Sequence, residues 1–278
     1  MSDVAFASFE AKWLAANPEQ GIVAVFLTPE LRLRAAAFGA LVHELQQAAF
    51  AASDPQVSVV KLDWWAQELI AAAKGNYRHP ITRALFEHEP ARRIDPTLWQ
   101  ALVAGAFAQI EPAPASTQAD TIRALAAFYE PVARVESALL ADAESAGAEA
   151  SALWIGSHRL REAAQPARER AVSLELLARH NLSRAQLAEP GEKRSGLLRD
   201  LLQGLRGDIE AALLSAPKAS PGRRVRSLLD LDCIASAVRA ADPAVAIGQW
   251  APSRWRSLRF AWREARRVAR EPAGPQGT

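Results

Sequence analysis

Cysteine is nearly missing from this 278-residue chain. The single thiol, Cys233, has no partner for an internal disulfide, and no group of cysteines and histidines stands at zinc-site spacing. No uninterrupted apolar run approaches the ~20 residues of a membrane span, and Met1-Ser2-Asp3 begins no signal peptide, so a cytoplasmic protein is expected. The formal charge is only +2, too small an excess to imply a nucleic-acid partner. Internal repeats and long polar linkers are lacking, and nothing in the sequence divides it into independent parts. Paired aspartates of the form D-D-x-x-[DE] occur nowhere.

What is plentiful is alanine, the best helix former, at about a fifth of all residues. Thr28-Pro29-Glu30 supplies a capping hydroxyl, a first-turn proline and an acid, and predicts a helix running to about Ala51. Phe38, Leu41, Val42 and Leu45 recur along it at helical spacing. Asp54-Pro55 restarts the chain into Val57–Lys74, which Gly75-Asn76 ends. His79-Pro80 opens a short helix through Phe86, and Asp95-Pro96 opens Thr97–Ile110. From Gln118, a long face is traced by Ile122, Leu125, Tyr129, Val132, Val135 and Leu139. Further helices are predicted over Ala148–Ala163, Ala167–His180, Lys193–Leu214, Arg223–Ala240 and Ser253–Arg270. Only Ile22 to Leu27 looks strand-like; lacking a partner strand, it reads as buried extended chain or as a helix extension. The expectation is an all-α, single-domain helical bundle over residues 1–270, with a disordered tail at 271–278.

Several stretches stand out as motifs. KLDWWAQEL from Lys61 to Leu69 is followed by Gly75 and then by HPITRAL from His79 to Leu85. Upstream lies RLRAAAFGAL from Arg32; downstream come Ile94 to Phe107 and SLELLARHNLS from Ser173 to Ser183. In this order and spacing, the set resembles the squalene/phytoene synthase family. That resemblance implies the isoprenoid synthase fold, a helical bundle around a hydrophobic central cavity. For active members it also implies head-to-head condensation of two prenyl diphosphates, with two aspartate-rich motifs on facing helices. Those carboxylates hold Mg²⁺ against the diphosphate, because a hard dication takes oxygen ligands and allylic ionisation needs the leaving group's charge neutralised.

On this chain the first motif falls at Glu44–Ala49, where Glu44 is the sole acid. The second falls near Gly156–Pro166, with Glu162 at the asparagine position and Gln165-Pro166 in place of an arginine–aspartate pair. Asp230 with Asp232, and Asp142 with Glu144, stand two residues apart and diverge on a helix. His43-Glu44 begins a zinc-protease pattern, but Gln47 occupies the second histidine's place.

Two readings stay open at this point. In one, Mg²⁺-dependent condensation has been lost; the chain holds no cofactor and serves as a lipid-binding, scaffold or assembly-type protein. Glu44-Leu45 ahead of the aromatic helix is similar to a non-catalytic branch of the family, the mitochondrial respiratory complex I assembly factor. In the other, an active prenyltransferase works through a divergent site. Glu44 and Glu162 would then ligate Mg²⁺, while Arg34, Arg159 and Arg161 would grip the diphosphate with their donor forks. Trp64 and Trp65 either line the prenyl pocket or fill the core with one indole half exposed. Ser253–Arg270 carries seven arginines against Glu264, with Trp255, Leu258 and Trp262 at helical spacing. It suits an anionic membrane surface, placing the protein at the inner face, or a protein partner; alternatively, its tryptophans dock on the bundle with the arginines in water.

Overall fold

The computed structural model describes residues 2–140, 147–168 and 171–270; the tail expected to be disordered, 271–278, lies outside them. All described regular structure is helical, as the alanine content predicts. The first half comprises α1 (Ser2–Ala16), α2 (Pro18–Val23), α3 (Pro29–Gln46), α4 (Pro55–Ala73), α5 (Pro80–Phe86), α6 (Glu89–Arg93) and α7 (Pro96–Phe107). The second comprises α8 (Gln118–Leu140), α9 (Gly147–Ala163), α10 (Leu174–Arg179), α11 (Glu192–Ser215), α12 (Pro221–Ala237), α13 (Pro243–Gln249) and α14 (Arg254–Val268).

Proline opens many of these helices because its missing N–H is one the first turn cannot bond anyway. The residue before it caps the helix. Thr28 Oγ accepts from Leu31 N–H at 3.3 Å, Asp54 from Gln56 N–H at 2.8 Å and Asp95 from Thr97 N–H at 2.8 Å. Gly75 adopts φ +86°, so that its N–H reaches the Ala72 carbonyl and Asn76 N–H reaches that of Ala71, both at 2.9 Å; this turn stops α4.

Two predicted elements differ. Ile22 and Val23 finish α2, Ala24–Phe26 form a 3₁₀ turn, and only Leu27 is extended, so the strand-like stretch is mainly a helix extension. Its Val25 is exposed. The helix expected over 167–180 is described only from Leu174 to Arg179, capped by Ser173 Oγ, which accepts from Leu176 N–H at 3.4 Å. The helix begins where a capping side chain is available.

α9 runs through the middle, pressed by α8, α11, α12 and α13. Its N-terminal half, with Leu153, Trp154 and Ile155, joins a core that includes Phe38, Leu41, Leu45, Trp99 and Phe128. Its C-terminal end, with Leu160 and Ala163, joins a second core built on Leu197, Leu198, Leu202, Leu205 and Ile234. Beside it, Pro131 sits inside α8. A proline there cannot bond the carbonyl four residues back, that of Ala127. Gly105 of α7 fills the approach: a Cβ at this position would stand 2.2 Å from Ala127 O. The two backbones therefore touch where α8 has lost a hydrogen bond.

Candidate functional site

A cavity of about 420 Å³ opens between α1, α2, α3, α8, α9, α12 and α14. Large apolar residues and small ones share its walls. Trp13, Phe38, Val42 and Trp154 supply the former; Ala35, Ala36 and Gly39 on α3 leave the room. Gly39 is needed because the Trp13 ring lies where its Cβ would be, 2.3 Å away.

One end of the cavity is basic, at Arg161 of α9 and Arg223 of α12; Arg32 and Lys218 also border the cavity. The Arg223 guanidinium stacks 3.2 Å from the centroid of the Trp154 ring. Nearby acids are already engaged. Glu136 accepts from Trp154 Nε1 at 2.9 Å and from Ser220 Oγ at 2.8 Å. Asp230 accepts from Ser157 Oγ and, at 2.9 Å, from Arg226 Nε; Arg226 also lies 3.7 Å from Glu19. Among the described residues no carboxylate lies within ion-pairing distance of Arg161 or Arg223, and Arg223 Nε is buried without a hydrogen-bond partner. The Arg161 side chain opens onto the cavity, yet its depth in the fold, reinforced by the charge of Arg226, lowers its pKa. Burial likewise brings Arg223 down to about 10, with Glu136 opposing and Arg161 adding to the fall. Both remain cations at neutral pH, and an anion entering the cavity would offset by its charge the cost of burying Arg223.

Next to this basic end, the two segments assigned to the metal-binding motifs meet. Gln46 Nε2 on α3 donates to the Tyr129 hydroxyl at 3.1 Å, and that hydroxyl lies 2.9 Å from His158 Nδ1 on α9. The phenol is wholly buried, which pushes its pKa up to about 12, and Phe50 tilts over the imidazole at 4.4 Å. The link between the motif helices is thus an amide, a neutral phenol and an imidazole. Mg²⁺ favours carboxylate oxygens in octahedral array, and this donor set does not fit it. Among the described residues, no group of three or more His, Cys, Asp or Glu is close enough together to hold a metal ion.

The residues singled out from sequence are dispersed. Glu162 borders a separate cavity of about 320 Å³ beside the 110–115 linker, together with His158 and Arg159; its carboxylate lies 3.6 Å from Arg168. Glu44 is half-buried on α3 and borders neither cavity. Arg159 Nη1 bonds Asp208 at 3.2 Å and its other terminal nitrogen bonds Gln118. Arg34 donates to the Leu139 carbonyl at 2.8 Å, tying α3 to the end of α8. Of the three arginines, only Arg161 reaches the larger cavity. Trp65 is in the core and Trp64 is half exposed; with Phe9 they surround the His79 ring edge-on at 4.7 to 5.4 Å.

Tyr129, His158 and Arg223 make the site and were not singled out for it. Tyr129 follows the apolar face of α8, and Arg223 lies just inside a helix start, so neither has a local signal. Their meaning comes from contacts across 29 residues, from Tyr129 to His158, and 83, from Gln46 to Tyr129.

A family model described as squalene/phytoene synthase matches residues 22–247. No curated protein matches the chain. Among solved structures, a dehydrosqualene synthase in complex with ligand superposes with TM-score 0.70 at 12% identity, covering 96% of this chain and 98% of that one. The squalene synthase HpnC from Alicyclobacillus acidocaldarius gives TM-score 0.64 at 16% identity, covering 86% and 95%. At such identities the likeness to these structures is one of fold.

Proposed function

Because the chain belongs to the squalene/phytoene synthase family, we propose that it binds an isoprenoid or similar lipid with a phosphate-type head and has lost Mg²⁺-dependent condensation. One observation carries this reading: the motif helices are joined by the carboxylate-free Gln46–Tyr129–His158 link, while Arg161 and Arg223 border the adjoining cavity. Condensation by this family's route needs carboxylates where that link stands; retention of a ligand needs only an apolar wall and cations. A volume of about 420 Å³ falls within the range of small-ligand sites. The lipid tail would lie along Trp13, Phe38 and Val42, with the head at the two guanidiniums.

The test pairs binding with turnover. Titration calorimetry with farnesyl diphosphate in EDTA should show binding to the protein, weakened at least tenfold in Arg161→Ala. Incubation with Mg²⁺ and farnesyl or geranylgeranyl diphosphate should release no condensed hydrocarbon detectable by gas chromatography. A hydrocarbon product would overturn the loss of catalysis and restore the prenyltransferase reading. Absence of binding under both conditions would overturn the ligand.

A further inference from the structure

Helix α14 turns its tryptophans away from the protein. The residues it buries against the bundle are Ser257, Ala261 and Glu264, with Glu264 taking Arg224 and Arg267 at 2.8 Å each. Trp255 is 80% exposed and Trp262 48%, with Leu258 between them; at three- and four-residue spacing the three share one side of the helix. The docked-tryptophan arrangement is therefore not the one adopted, because the small residues give the closer fit to the bundle.

Cations flank this apolar strip. Arg256 pairs with Asp232 at 2.9 Å and Arg267 with Glu264, but Arg254, Arg259, Arg263, Arg266 and Arg270 have no carboxylate within ion-pairing distance among the described residues. Arg266 instead lies 4.8 Å over the Trp262 ring. The 3₁₀ turn at Ala24–Phe26, which touches α14, adds Val25, 69% exposed, and Phe26. The strip also adjoins the larger cavity. Ala261, Ala265 and Val268 line that cavity, and Ala265 stands seven residues, two turns, beyond Leu258 on the same side.

We infer that α14 docks the protein on an anionic phospholipid surface, with Trp255, Leu258 and Trp262 entering the headgroup boundary and the unpaired arginines meeting lipid phosphates. A strip of indoles ringed by guanidiniums is complementary to such a surface in both polarity and charge. No helix among the described residues is long and apolar enough to cross a membrane, so the contact is with one face of the bilayer. Docking in this way brings the cavity wall of α14 to the lipid surface. The inference rests on α14 and not on the cavity's ligand, so each can fail alone.

Flotation of the full chain with liposomes tests it. The protein should float with vesicles of phosphatidylcholine containing phosphatidylglycerol, and tenfold less with phosphatidylcholine alone or at high salt. The exposed pair Trp255→Ser/Trp262→Ser, and separately Arg259→Glu/Arg263→Glu, should each cut flotation at least tenfold with an unchanged circular dichroism spectrum. Failure of the unmodified protein to float, or undiminished flotation of both variants, would overturn the inference. So would lipid-free sedimentation showing self-association that the tryptophan pair abolishes, since the strip would then be an interface between copies.

Discussion

Glu68 has a fully buried side chain on α4, and its environment explains how a charge is tolerated there. Its carboxylate accepts from Thr82 Oγ at 2.6 Å, from the Arg78 and His79 N–H groups at 2.8 and 2.9 Å, and from Arg78 Nε at 3.4 Å. Burial pushes its pKa upward, but the bonds from Thr82, His79 and Arg78 outweigh it and hold the pKa below the ordinary value. A folded pKa lower than the unfolded one means that the stabilisation is complete above about pH 4.3 and is lost as pH falls through the folded value. Glu68→Gln should cost about 1–3 kcal/mol at neutral pH, and it should flatten the acid-side decline in urea midpoints between neutrality and about pH 3.5. A variant as acid-sensitive as the parent would count against this account. The neighbouring His79 also has its pKa lowered, here because burial outweighs the opposing charge of Glu68. Its Nδ1 accepts from Ile81 N–H at 3.2 Å, so a neutral imidazole caps α5 inside its aromatic surround.

Helix starts were the most legible elements. Thr28-Pro29, Asp54-Pro55, His79-Pro80 and Asp95-Pro96 each place a cap and a first-turn proline where the structure begins a helix, because both preferences are local. The packing between helices was not legible. Gly105 reads as a mild weakness in a helical pattern, and only the fold shows that its missing side chain admits the α8 backbone at Ala127. The helical face traced from Gln118 passes through Pro131 and α8 does run through it to Leu140, but the sequence does not show that the hydrogen bond lost at Ala127 faces Gly105. The candidate site divides along this line too: the motif segments are assigned from sequence, whereas Tyr129, which joins them, is hidden in an apolar stripe. Gly105→Ala should destabilise by about 1–3 kcal/mol, since the obstructing atoms are backbone and cannot turn aside. Gly204→Ala on α11, where a Cβ would meet nothing within 4 Å, should be neutral or stabilising. Thermal unfolding of the two variants checks the contrast.

At the scale of the whole molecule, α9 belongs to both of the larger hydrophobic cores, with Leu153 to Ile155 in one and Leu160 with Ala163 in the other. Opening either core would strip packing from one stretch of that helix and so weaken its hold on the other. Amide hydrogen exchange puts this on a measurable footing. The amides from Leu153 to Leu160 should exchange only through global unfolding and be the slowest in the chain, with protection matching the free energy from urea melts. Fluorescence and circular dichroism should then report one coincident transition; two separated transitions, or fast exchange in α9, would contradict it. Cooperativity here would be a property of a single shared helix, so the chain has no half that unfolds first and leaves the other standing.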